Sequence, residues 1–122
     1  MNIEIPISVG ELVDKLTILE IKKEKIQDTN KLININNEYD ELTKLAIQLK
    51  NKNEEEYTKL FNELKTVNLK LWEIEDKIRI LESEKIFNEE FVELARSVYF
   101  TNDERFESKN KINKYFGSEF AE

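Results

Sequence analysis

Residues 57–81 read YTKLFNELKTVNLKLWEIEDKIRIL, and their spacing decides the fold. Tyr57, Leu60, Leu64, Val67, Leu71, Ile74, Ile78 and Leu81 follow one another at alternating steps of three and four residues. That is the a/d seam of a long amphipathic helix, with an aliphatic side chain at every position after the first. No glycine or proline lies between Gly10 and Gly117, so nothing interrupts a helical body.

Working outward, Asn51-Lys52-Asn53 is a short polar turn. Upstream of it, residues 31–50 carry Leu32, Ile35, Tyr39, Leu42, Leu45 and Leu49 at helical spacing. The two segments are expected to fold back on each other as an antiparallel hairpin. A third helix over 54–85 would be roughly 45–48 Å long and the second only about 30 Å. The surplus seam then needs cover from helix four or from a second subunit. Ser8 and Glu11 fit a capping box opening a first helix over 9–27, with Leu12, Leu16, Leu19 and Ile26 as its stripe. Lys23 occupies a stripe position where an aliphatic residue is expected, and Asp28-Thr29-Asn30 supplies a break and a new cap. Asn88 caps a fourth helix that runs to Phe116 and ends at Gly117, with Thr101-Asn102-Asp103 as a point where it could bend. Residues 2–9 alternate apolar and polar, which means a short extended segment confined to an edge by Pro6. It either pairs with its copy in another subunit or lies along the helices. The expected fold is a single all-α domain over residues 1–122. It is an antiparallel four-helix bundle with one long coiled-coil-like helix and a short extended N-terminal segment.

Composition removes whole classes of chemistry. The chain has no cysteine and no histidine, so disulfides, thiolate and imidazole catalysis and the common zinc sites are absent together. A net charge of -7 with 37% charged residues disfavours nucleic-acid phosphate as a partner. No apolar stretch approaches the length of a membrane span, no leader pattern is visible, and a cytoplasmic protein is the default expectation. Nothing in the spacing implies a cofactor. Among 19 basic residues only Arg79, Arg96 and Arg105 are arginine. In a lysine-biased chain these are candidates for sites that want a planar, bidentate donor.

Several polar residues occupy positions the stripes reserve for apolar ones. Continuing helix four's stripe from Phe91, Leu94 and Val98 leads to Asn102, Arg105 and Lys109 before it returns to Ile112 and Phe116. Beside the seam of the long helix runs a second line, Asn68, Trp72, Glu75 and Arg79. Asp14 and Glu20 on the first helix can supply counter-charges, because a buried charge is stable only when paired. Two arrangements fit. In one, Asn68, Trp72, Glu75, Arg79, Arg96, Asn102, Arg105 and Lys109 contribute to a cleft for a small anionic ligand, with Trp72 as a stacking wall. In the other, the charges close on one another as an internal network. Enzyme-like spacing is limited to the carboxylate pairs Glu38/Glu41, Glu73/Asp76 and Glu90/Glu93. All-α nucleotide pyrophosphohydrolases hold magnesium with E-x-x-E followed by E-x-x-D; here Glu73/Asp76 precedes the nearer E-x-x-E pair, Glu90/Glu93, and the more distant pair, Glu38/Glu41, lies too far upstream.

Ser8–Lys22 (SVGELVDKLTILEIK), Val67–Arg79 (VNLKLWEIEDKIR) and Phe91–Arg105 (FVELARSVYFTNDER) resemble a family of small bacterial and phage proteins, domain-of-unknown-function family 6165. The resemblance implies a self-contained unit and supplies no reaction. The expected function is a non-enzymatic interaction or scaffolding module that forms a homo-oligomer, simplest as a dimer. The alternatives are the anion-binding cleft around Trp72, Arg96 and Arg105, and a magnesium-dependent helical hydrolase.

Overall fold

A computed structural model describes all of residues 1–122. The chain forms four helices and no strand: α1 (Val9–Lys25), α2 (Thr29–Lys52), α3 (Glu54–Ser83) and α4 (Glu89–Phe116). None is long and apolar enough to cross a membrane.

Each helix starts where a side chain can satisfy an otherwise orphaned backbone N–H. The Ser8 hydroxyl accepts from the amide of Glu11, Asp28 from Lys31, Asn53 from Glu56 and Asn88 from Phe91. Asn53 is the only residue between α2 and α3. Gly117 ends α4 at φ +67, the left-handed conformation that lets an αL cap form without Cβ strain. Thr101-Asn102-Asp103 does not interrupt α4, because Thr101 turns inward and is buried while its two neighbours stay in solvent. Residues 1–8 form no regular element. Met1, Ile3 and Ile5 are exposed, and only Ile7 packs against the core.

The core centres on α1, not on the longest helix. Eight of α1's 17 residues are buried, among them Leu12, Val13, Leu16, Leu19 and Ile21. Leu12, Val13 and Leu16 pack with Ala46 and Leu49 of α2, Tyr57, Leu60 and Leu64 of α3, and Ile112 and Phe116 of α4. Helix α1 touches all three other helices, and α3 packs chiefly on α4. Gly10 makes the closest approach possible: a Cβ there would fall 2.5 Å from the backbone oxygen of Lys109.

The expectation of one overlong helix gives way to two, since α4 has 28 residues against 30 in α3. At about 1.5 Å per residue α1 spans roughly 26 Å and α3 roughly 45 Å, so α1 cannot line the whole α3–α4 hairpin. The seam records this. Tyr57, Leu60, Leu64 and Ile74 are buried, whereas Val67, Leu71, Ile78 and Leu81 are only half-buried.

Candidate functional site

Asp14 lies on the inner face of α1, 1% exposed, and it is the most buried charge in the molecule. A carboxylate taken out of water is tolerated only if its lone pairs are met. Arg105 of α4 meets them with a two-pronged contact, Nε to Oδ1 at 2.9 Å and a second guanidinium nitrogen to Oδ2. Asn68 of α3 donates its amide to the same Oδ1 at 2.9 Å and to the Thr17 hydroxyl at 2.8 Å. Thr17 in turn donates to the Asp14 carbonyl at 2.7 Å. Three helices are thus locked at one level by a fully satisfied polar cluster, and no buried side-chain polar atom in the chain lacks a partner. The Asp14 hydrogen bond raises the Arg105 pKa further, outweighing the opposing effect of burial.

One turn toward the start of α1, a second cluster ties the C-terminal residues to that helix. The amides of Val9, Gly10 and Glu11 are taken by Ser118 Oγ at 3.1 Å, Asn113 Oδ1 at 2.6 Å and Ser8 Oγ at 3.0 Å. The Glu122 carboxylate accepts from Ser8, from Asn113 at 2.7 Å and from Lys109 at 2.7 Å, while Lys109 also reaches Glu11 at 2.6 Å. Burial pushes the Glu122 carboxyl up, but the donors around it prevail and hold it below the ordinary value. Burial likewise pulls Lys109 down, and its two carboxylate partners more than reverse this. The capping-box spacing of Ser8 and Glu11 therefore forms only half the motif. The Glu11 side chain turns away to Lys109. A third link joins α1 to α3, where Lys65 pairs with Glu20 at 3.0 Å and Glu24 at 2.7 Å.

Of the eight residues singled out in the sequence, the structure gathers Asn68, Arg105 and Lys109 against α1 and leaves the other five along the hairpin. Trp72 is half-buried, and Glu75 and Arg79 form an exposed pair at 4.0 Å. Arg96 contacts Glu93 at 3.3 Å in solvent, and Asn102 is exposed. Arg96 and Arg105 stand nine residues apart on one uninterrupted helix. At about 100° per residue that places them on opposite faces, roughly 13 Å apart along the axis. Arg105 is committed to Asp14, so the two arginines do not converge on a shared ligand. The acidic pairs Glu38/Glu41, Glu73/Asp76 and Glu90/Glu93 stand on three different helices and are exposed. No three acidic side chains come together to hold a metal ion. A cleft of about 230 Å³, lined by Leu16, Glu20, Tyr39, Thr43, Tyr57 and Phe61 among others, falls short of the usual ligand-pocket range. It includes none of Trp72, Arg96 and Arg105.

What the structure leaves unsatisfied is apolar. Beyond Asn68 on α3 and before Arg105 on α4, no hydrogen bond or ion pair reaches the hairpin from α1 or α2. That end exposes Ile80, Ile86, Phe87, Val92, Tyr99 and Phe100, and Phe106 is exposed just past Arg105. Single exposed hydrophobic residues are ordinary; seven along one pair of helices form an apolar concentration that the chain's own helices do not cover.

Residues 1–121 match the model of a family described as "Family of unknown function (DUF6165)", and the chain belongs to that family. No curated protein and no solved structure matches it.

Proposed function

We propose, for this member of a family with no assigned reaction, a non-enzymatic interaction or scaffolding role in which copies of the chain associate, most simply as a homodimer. The observation that carries this reading is the bare end of the α3–α4 hairpin. Half-buried Leu71, Ile78 and Leu81 on α3 continue a heptad pattern that packs on α4 and has no third helix over it. The chain's own α1 is too short to provide one. The contacts also favour an antiparallel, coiled-coil-like bundle: Lys111 meets Glu63 and Lys70 meets Glu104, so falling numbers on α4 meet rising numbers on α3.

Burial of such a surface between two chains is favourable at about 25 cal/mol for each Å² of apolar area removed from water, offset by the entropy of association. Sedimentation velocity over a wide concentration range tests the reading. A species of twice the 14.6 kDa chain mass is expected. A single species of chain mass at every concentration would remove the self-association reading. The polar cluster at Asp14 serves this role as a clamp, fixing the hairpin on α1 so that its free end projects in one orientation.

A further inference from the structure

Helix α4 carries a second stripe that its own chain does not use. Val92, Ala95, Tyr99, Asn102 and Phe106 follow at steps of three, four, three and four, the same seam spacing found on α3. The inward face of α4 is a different one, formed by Leu94, Val98, Thr101, Arg105 and Ile112. Along the second stripe Val92 and Tyr99 are each 49% exposed and Phe106 is 52% exposed. A seam of this period is filled by another helix lying nearly parallel or antiparallel to it.

Charge decides what that helix is. One flank of the stripe carries Arg96 and Asp103, seven residues apart and of opposite sign. Asp103 forms no ion pair within its own chain, and Arg96's one ion pair is with solvent-exposed Glu93, while its Nε reaches the Tyr99 hydroxyl at 3.5 Å. If a second α4 lay alongside in parallel, this flank would face apolar Phe91 and Val98 of the other chain, and neither charge would find its opposite. In an antiparallel pair equivalent flanks face each other. With a twofold axis passing between Tyr99 and Asn102, Arg96 meets the partner's Asp103, and symmetry makes the same pair twice. The same axis sets Tyr99 against the partner's Asn102. The stripe is thus complementary to itself only when reversed.

We propose that α4 of one copy packs antiparallel on α4 of a second copy through Val92, Tyr99 and Phe106, with Arg96 and Asp103 fixing the register. The inference rests on the self-association reading and adds to it a surface, a polarity and a register.

The test uses full-length chains followed by sedimentation and thermal melting. Asp103→Arg replaces two attractive pairs by two repulsive ones, and exposed pairs of this kind alter affinity by a few-fold each. The dimer dissociation constant is expected to rise about tenfold, with the melting curve of the dilute chain unchanged. Adding Arg96→Asp in the same chain restores the opposite signs and should return the constant to within about threefold of the starting protein. Tyr99→Glu should abolish the dimer. If the protein dimerises and these variants dimerise equally well, the α4 surface is overturned while self-association stands. If Asp103→Arg weakens the dimer and the double exchange fails to rescue it, the antiparallel register is overturned. A chain that is monomeric throughout overturns both readings.

Discussion

Replacing Arg105 by methionine isolates the energetic weight of the three-helix clamp. Methionine keeps most of the buried stem and removes the guanidinium, so the loss is electrostatic more than steric. Asp14 remains behind at 1% exposure with Asn68 as its one side-chain donor. Removing one member of a buried pair costs about 3–5 kcal/mol, because the survivor is left charged and desolvated. Here the Asn68 amide persists and the Arg105 side chain is itself 28% exposed, which places the expected loss at about 3 kcal/mol, the low end of that range. For a chain of this size it corresponds to a fall in Tm of roughly 10 °C. Urea unfolding followed by far-ultraviolet circular dichroism at pH 7 measures it. A deficit under about 1 kcal/mol would refute the view that Arg105 holds Asp14 as a buried carboxylate.

Gly10→Ala should destabilise by about 1–3 kcal/mol in thermal melts, because its Cβ would press on the Lys109 backbone across a close helix contact. Gly117→Ala meets open space and should lose only about 1 kcal/mol, from its positive φ. Glu122→Gln should remove about 1–2 kcal/mol at neutral pH through weakened bonds to Lys109. Since the Glu122 pKa is lowered, its contribution is present above the ordinary carboxyl value and lost as pH falls through the folded one, so the two melting curves should converge as pH falls below the ordinary carboxyl range. Leu64→Ala, at a fully buried seam position, should cost about 3–4 kcal/mol in denaturant titrations, and Ile80→Ala, which is largely exposed, less than about 0.5.

How far the residues disclose this arrangement depends on the range of the interaction. Helix starts are legible because Ser8, Asp28, Asn53 and Asn88 each cap a backbone amide three residues away, and the stop at Gly117 is equally local. The seam of α3 is legible as a periodicity, but how much of it is covered depends on the length and direction of α1. The periodicity therefore does not show that the core gathers around α1, the shortest helix. The polar interruption at Arg105 and Lys109 marks groups that need counter-charges, and Asp14 is the one that meets Arg105. The sequence does not reveal that Arg96 belongs elsewhere until α4 is known to run unbroken through Thr101-Asn102-Asp103, which sets the two arginines on opposite faces. The Glu122 contact with Ser8 spans 114 positions, and nothing in an acidic C-terminal residue distinguishes it from the many acids on the surface. Helix α4's second stripe is not legible in the sequence, because it sits beside the first on the same helix and only the burial pattern separates them.

Radical footprinting of the aromatic side chains, compared between dilute and concentrated protein, tests most directly whether the hairpin's free end is where copies meet. Oxidation of Tyr99 and Phe106 should fall as concentration rises, while Phe120, exposed on the C-terminal tail, should label equally at both. Equal labelling of all three across a range in which the protein self-associates would show that the contact lies on another face.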